Sequence, residues 1–210
     1  MNSQTEKIQI KGAAGTIDVL RDRAAQGTPA LGVAVIAHPH PLFGGTMDNK
    51  VVQTLARAFV ACGWTAVRFN FRGVGASEGV HDEGRGECED MRAVVEQLAP
   101  EGPLAIAGFS FGAFVASCAI EKLWAVRDIR HVVLIGTAAA RFSVATLPLE
   151  AHERALVVHG EHDDTVPLAA VMDWARPQSL PVTVVPGGGH FFHGQLPLLK
   201  NLVVRHLRAG

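Results

Sequence analysis

The chain has 210 residues, 48% hydrophobic and 19% charged, with a formal net charge of −1. That balance suits a single globular domain over residues 1–210 with a large buried core, and it offers no electrostatic case for a nucleic-acid partner or an anionic membrane surface. No apolar run nears the roughly 18 residues that a bilayer span needs, the polar opening residues 1–7 do not read as a signal peptide, and the odd set Cys62, Cys88 and Cys118 has no metal or redox spacing, so a cytoplasmic protein with reduced thiols is expected.

Taken in chain order, residues 6–10 and 16–21 suggest an antiparallel hairpin. Residues 32–37 form an apolar run of strand length. From Asp48 to Cys62, apolar residues recur at helical spacing (Val51, Val52, Leu55, Ala58, Phe59, Cys62), and Gly63 follows where a helix is capped. A strand is expected over 65–71, a helix over 87–98 with Pro100 beyond it, a strand over 104–109 and a helix over 113–123. Strands follow at 131–136 and 155–159, then a short helix over 167–175 with proline near its start. The last strand is placed at 182–185 and the last helix from Gly194 or Gln195 to Arg208. Strands apolar on both faces and alternating with helices indicate an α/β fold, a mostly parallel sheet covered on both sides. In such sheets, functional residues gather at the carboxyl ends of strands.

The residues at those ends carry the chemistry. Gly108-Phe109-Ser110-Phe111-Gly112 lies between an apolar run and a helix-like run, the setting of a nucleophile elbow. The tight turn strains the serine backbone, needs glycine two residues to either side, and aims the new helix's free N–H groups at the serine hydroxyl. The competing reading is a turn whose serine only caps the helix. Downstream, His159-Gly160-Glu161-His162-Asp163-Asp164-Thr165-Val166-Pro167 follows one strand, and Gly187-Gly188-Gly189-His190-Phe191-Phe192-His193 follows the last. Serine, acid and histidine thus come in the chain order of an α/β-hydrolase triad. Phe43, Met47, Phe191 and Phe192 are candidates to line a substrate pocket, or else ordinary core.

Four stretches carry a resemblance over essentially the whole chain: His38-Pro39-His40-Pro41, residues 70–79 (Asn-Phe-Arg-Gly-Val-Gly-Ala-Ser-Glu-Gly), the elbow, and His159-Gly160-x-x-Asp163-x-x-Val166-Pro167 with the later His190. They resemble the α/β-hydrolase superfamily. Within it, the stretch from Ala37 to Val52 (AHPHPLFGGTMDNKVV) is similar to small bacterial serine hydrolases with little or no cap domain. The resemblance implies Ser110 as nucleophile, His190 as general base and Asp163 as its orienting acid, with Asp164 and His193 as the nearest rivals. It also implies an oxyanion hole built from backbone N–H groups, one from Phe111 and one from the loop after the early strand, near His40. In that loop Pro39 and Pro41 have no N–H, which leaves His40 or Leu42, with Phe43 as a further choice.

Two other chemistries fit less well. His38-x-His40 would begin a metallo-hydrolase motif, but Leu42 and Phe43 stand where an aspartate and a histidine are needed, so no metal and no cofactor are expected. The glycines at 73, 75 and 79 lack the spacing of a dinucleotide loop. Arg72 is instead expected to pair with a carboxylate such as Asp90. The short stretch 136–154 leaves no room for a cap, so an open site is expected. The expected activity is carboxylesterase-like cleavage of a small-molecule ester or thioester. The alternatives are a peptidase or amidase with the same triad, and a non-catalytic binding protein of the same fold. Oligomeric state is not legible.

Overall fold

The computed structural model describes residues 5–24 and 30–209; the first four polar residues weighed above lie outside the described residues. Strands β1 (Thr5–Gly12) and β2 (Gly15–Asp22) form an antiparallel hairpin with Gly12 facing Gly15. The chain then alternates through β3 (Val33–Ala37), α1 (Lys50–Ala61), β4 (Thr65–Phe69), α2 (Arg85–Leu98), β5 (Leu104–Phe109), α3 (Phe111–Leu123) and β6 (Ile129–Ile135). It closes with β7 (Ala155–Gly160), α4 (Leu168–Ala175), β8 (Val182–Val185) and α5 (Leu196–Ala209). The sheet order is β1-β2-β4-β3-β5-β6-β7-β8, and the pairs from β4 through β8 are parallel. This is the expected fold, an eight-stranded mostly parallel sheet with helices on both faces and no cap over the 136–154 stretch, where a single 3-10 segment lies at Leu149–Arg154.

The two-faced apolar strands explain the layering. Along β5, Leu104 and Ile106 pack into one core with α2, α3 and α4, while Ala105, Ala107 and Phe109 pack into the other with α1 and α5. Successive side chains of a strand point to opposite faces, so a strand apolar throughout must be covered twice. At about 25 cal/mol per Å2 of apolar surface removed from water, these two cores dominate the stability of the fold.

Element ends depart from the expected ones for local reasons. Helix α1 starts at Lys50 because the Asn49 side chain caps it, accepting from the Val51 N–H at 2.8 Å. Strand β4 stops at Phe69, short of Phe71: the Asn70 N–H still reaches the in-register Asp18 carbonyl (2.9 Å), but the Asn70 carbonyl accepts from Ser77 Oγ (2.7 Å) in the loop that follows. Arg72 does pair with Asp90, with two hydrogen bonds of 2.8 and 3.0 Å, and also donates to the Gly86 carbonyl. This buried fork fastens the loop after β4 to α2.

Candidate active site

Ser110 sits between β5 and α3 with φ 56° and ψ −117°, a backbone that side-chain-bearing residues rarely adopt. The two glycines of the motif have separate steric causes. A Cβ at Gly108 would collide with the Gly112 carbonyl, and one at Gly112 would lie 2.5 Å from the His38 carbonyl and still closer to that of Ala37. The elbow is therefore wedged against the carboxyl end of β3. The Ser110 hydroxyl makes no helix-capping hydrogen bond, so the cap-only reading of this serine fails.

The hydroxyl lies instead 3.0 Å from His190 Nε2, and His190 Nδ1 lies 2.7 Å from Asp163 Oδ2. All three side chains are buried. Asp163 Oδ1 accepts from the Thr165 and Val166 N–H groups at 3.0 and 2.7 Å, which fixes the carboxylate in its turn. Burial acts to raise the Asp163 carboxyl, but the His190 and Val166 hydrogen bonds and the charges of His190 and His159 outweigh it and hold the group below the usual carboxylate range. His159 lies beneath: its Nε2 donates to the Val166 carbonyl at 2.8 Å and sits 3.3 Å from Asp163 Oδ2. Burial keeps that imidazole below its ordinary range. Behind His190 are Phe109, with ring centroids 4.9 Å apart, and Gly136, where a Cβ would come within 3.3 Å of the imidazole. Sequence reasoning missed Gly136, although a glycine directly past a strand end was a usable signal.

The rivals stand apart. Asp164 is exposed and, among the described residues, its carboxylate accepts only from the neighbouring Thr165 hydroxyl; His193 is exposed.

Phe111 heads α3, and the first N–H groups of a helix have no carbonyl behind them to bond. In the loop after β3, the Leu42 N–H donates to His40 Nδ1 (3.2 Å) and the Phe43 N–H to the His40 carbonyl (3.2 Å). Leu42, one of the two donors left open by the sequence, is thereby spent. The His40 N–H has no acceptor among the described residues. His38 is fully buried with both ring nitrogens engaged: Nδ1 donates to the Pro39 carbonyl, and Nε2 accepts from the Phe71 N–H at 3.0 Å. It ties the His40 loop to the loop after β4.

A cavity of ≈360 Å3 opens over Ser110 and His190, and its walls include His40, Phe43, Asn49, Arg141, Thr165 and Phe191. Phe43 and Phe191 are among the residues that line it. Met47 and Phe192 are not: both are buried. Met47 is turned inward because its N–H donates to Asn70 Oδ1 and its carbonyl accepts from Arg68. Among the described residues, no helix is long and apolar enough to cross a membrane.

Comparison with known proteins gives the family and the fold. A family model described as Serine aminopeptidase, S33 (Hydrolase_4) matches residues 35–152. A crystal structure of an α/β serine hydrolase without lid from Xanthomonas campestris is 34% identical, with a TM-score of 0.86, covering 100% of this chain and 96% of that one. The structure of an α/β serine hydrolase homologue from Coxiella burnetii is 37% identical, with a TM-score of 0.83, covering 96% of this chain and 97% of that one. An uncharacterized protein of Rickettsia prowazekii is 32% identical over 204 residues, 89% of this chain and 82% of its own length. With the elbow, the parallel sheet and these matches together, the chain belongs to the Hydrolase_4 family of α/β serine hydrolases, within the α/β-hydrolase superfamily.

Proposed function

We propose that this hydrolase cleaves small esters or thioesters through a covalent acyl-enzyme on Ser110. The observation that carries the reading is the unbroken relay from the Ser110 hydroxyl to His190 (3.0 Å) to Asp163 (2.7 Å) at a strained elbow. A hydroxyl is a weak nucleophile until a base removes its proton. His190 Nε2 takes that proton as Ser110 Oγ attacks the acyl carbon, then delivers it to the departing alkoxide or thiolate. Asp163 holds the tautomer with the proton on Nδ1 and stabilises the imidazolium that forms. The tetrahedral oxyanion is held by the N–H groups of Phe111 and His40, worth about 10²–10³ in kcat per donor. Water then attacks the acyl group, with His190 again as base, and frees the acid and Ser110.

The open cavity favours small or exposed substrates. The family description names an aminopeptidase. Recognition of a free α-amine calls for a carboxylate at the site, and none is among the residues that wall this cavity. That favours an ester or thioester, with the amidase reading second.

The test is hydrolysis of p-nitrophenyl esters from acetate to decanoate by wild type and Ser110→Ala. Serine-dependent turnover, falling with chain length once the cavity is filled, supports the reading. Turnover by Ser110→Ala at the wild-type rate refutes it.

A further inference from the structure

The cavity over Ser110 has a polarity of its own. Its apolar wall is made by the rings of Phe43 and Phe191. Its charged group is Arg141, whose guanidinium makes no ion pair and no hydrogen bond among the described residues. The one contact recorded for its guanidinium is with the Phe43 ring, 5.8 Å from the centroid. By contrast, Arg68 is held by the partly buried Asp22 and Arg72 by the buried Asp90. Two further polar groups of the wall, Asn49 and His40, are also donors. Asn49 spends its side-chain oxygen on capping α1, which leaves its NH2 group without a partner among the described residues. His40 Nδ1 accepts from the Leu42 N–H, so the neutral ring carries its proton on Nε2. The nearby acids stand behind the wall and not in it: Asp163 is bonded to His190, Asp164 accepts from the Thr165 hydroxyl at 3.3 Å, and Glu83 lies 3.6 Å from His81.

A cation, an amide NH2 and an imidazole N–H around one cavity, with no carboxylate, cannot satisfy one another. They fit an anion. Building on the ester hydrolase reading above, we infer that the substrate is an ester or thioester carrying a second, free carboxylate, and that Arg141 is the residue that selects it. The hydrocarbon between the reacting carbonyl and the carboxylate lies against Phe43 and Phe191. The guanidinium meets the carboxylate as a two-pronged donor, a geometry that lysine cannot copy. No new covalent step is involved: the carboxylate orients the substrate, and Ser110 attacks as before.

The test pairs esters that differ only in that charge, with phenol release as readout: monophenyl adipate against its methyl-capped neutral analogue. Wild type is expected to favour the anionic member by about tenfold in kcat/KM, the scale of one charge-assisted contact at a partly open site. The preference should shrink with added salt. Arg141→Gln is expected to erase it by raising KM for the anionic ester, so that kcat/KM for the two esters converges; Arg141→Lys is expected to restore only part. Equal rates on the two esters in wild type, or a preference that survives in Arg141→Gln, would overturn the inference while leaving the ester hydrolase reading intact. No phenol release from either ester by folded wild type would overturn both.

Discussion

Replacing Gly112 by alanine probes how the elbow is held. The new Cβ would lie 2.5 Å from the His38 carbonyl, about 0.9 Å inside ordinary van der Waals contact, with the Ala37 carbonyl closer still. Strand β3 cannot yield, because it is hydrogen-bonded on both sides, to β4 and β5. The strain must instead displace the start of α3 or the His38–His40 loop. Either movement separates Ser110 and Phe111 from His190 and the His40 N–H. A misplacement of about 1 Å costs on the order of 10²-fold in rate, and overpacking of this kind costs about 1–3 kcal/mol. Gly102→Ala is the control: it has φ 77° and nothing within 4 Å of an added Cβ, so only backbone strain of about 1 kcal/mol applies. The assay is kcat/KM on p-nitrophenyl butyrate beside urea denaturation of both variants. Near-wild-type kcat/KM in Gly112→Ala would refute the reasoning, as would equal catalytic losses in both variants.

Three further outcomes are expected. Asp163→Asn should lower kcat by about 10³–10⁴-fold through loss of the correct His190 tautomer, while Asp164→Asn stays within a few-fold; steady-state kinetics check both. His38 is pushed down to about 4 by burial, against the pull of the Pro39 carbonyl. The unfolded chain therefore binds more protons below pH 6.5, and the stability this neutral ring contributes is fully present above that value and lost as pH falls toward 4. Between pH 8 and pH 5 the loss from this group is about 2 kcal/mol, to be read from urea midpoints, with NMR showing the His38 ring still neutral at pH 5. Asp90→Ala strands the Arg72 guanidinium without its buried partner and should cost about 3–5 kcal/mol, seen as a lower Tm.

Much of this was open to reading because the physical constraints are local. Strands β3, β5 and β6 are apolar on both faces, and only a sheet covered twice satisfies that. The glycines of the elbow and the Ser110, Asp163, His190 order sit at strand ends, where a parallel sheet gathers its chemistry. What escaped depends on partners far along the chain. The residues alone left His40, Leu42 and Phe43 as donors, with the resemblance pointing near His40; that the Leu42 N–H is bonded to His40 Nδ1 is visible only in three dimensions. Met47 looks like a pocket residue in its motif, but Asn70 and Arg68, more than 20 residues away, bind its backbone and turn it inward. Arg141 and Asn49 reach the cavity from loops, and loops have no periodicity to read.

The most direct measurement is labelling of the folded protein with a fluorophosphonate, followed by mass spectrometry of the adduct. The expected result is one adduct per chain, on Ser110, that is absent in Ser110→Ala and strongly slowed in His190→Ala. A folded wild type that stays unlabelled, or an adduct that persists in Ser110→Ala, would contradict catalysis by this serine.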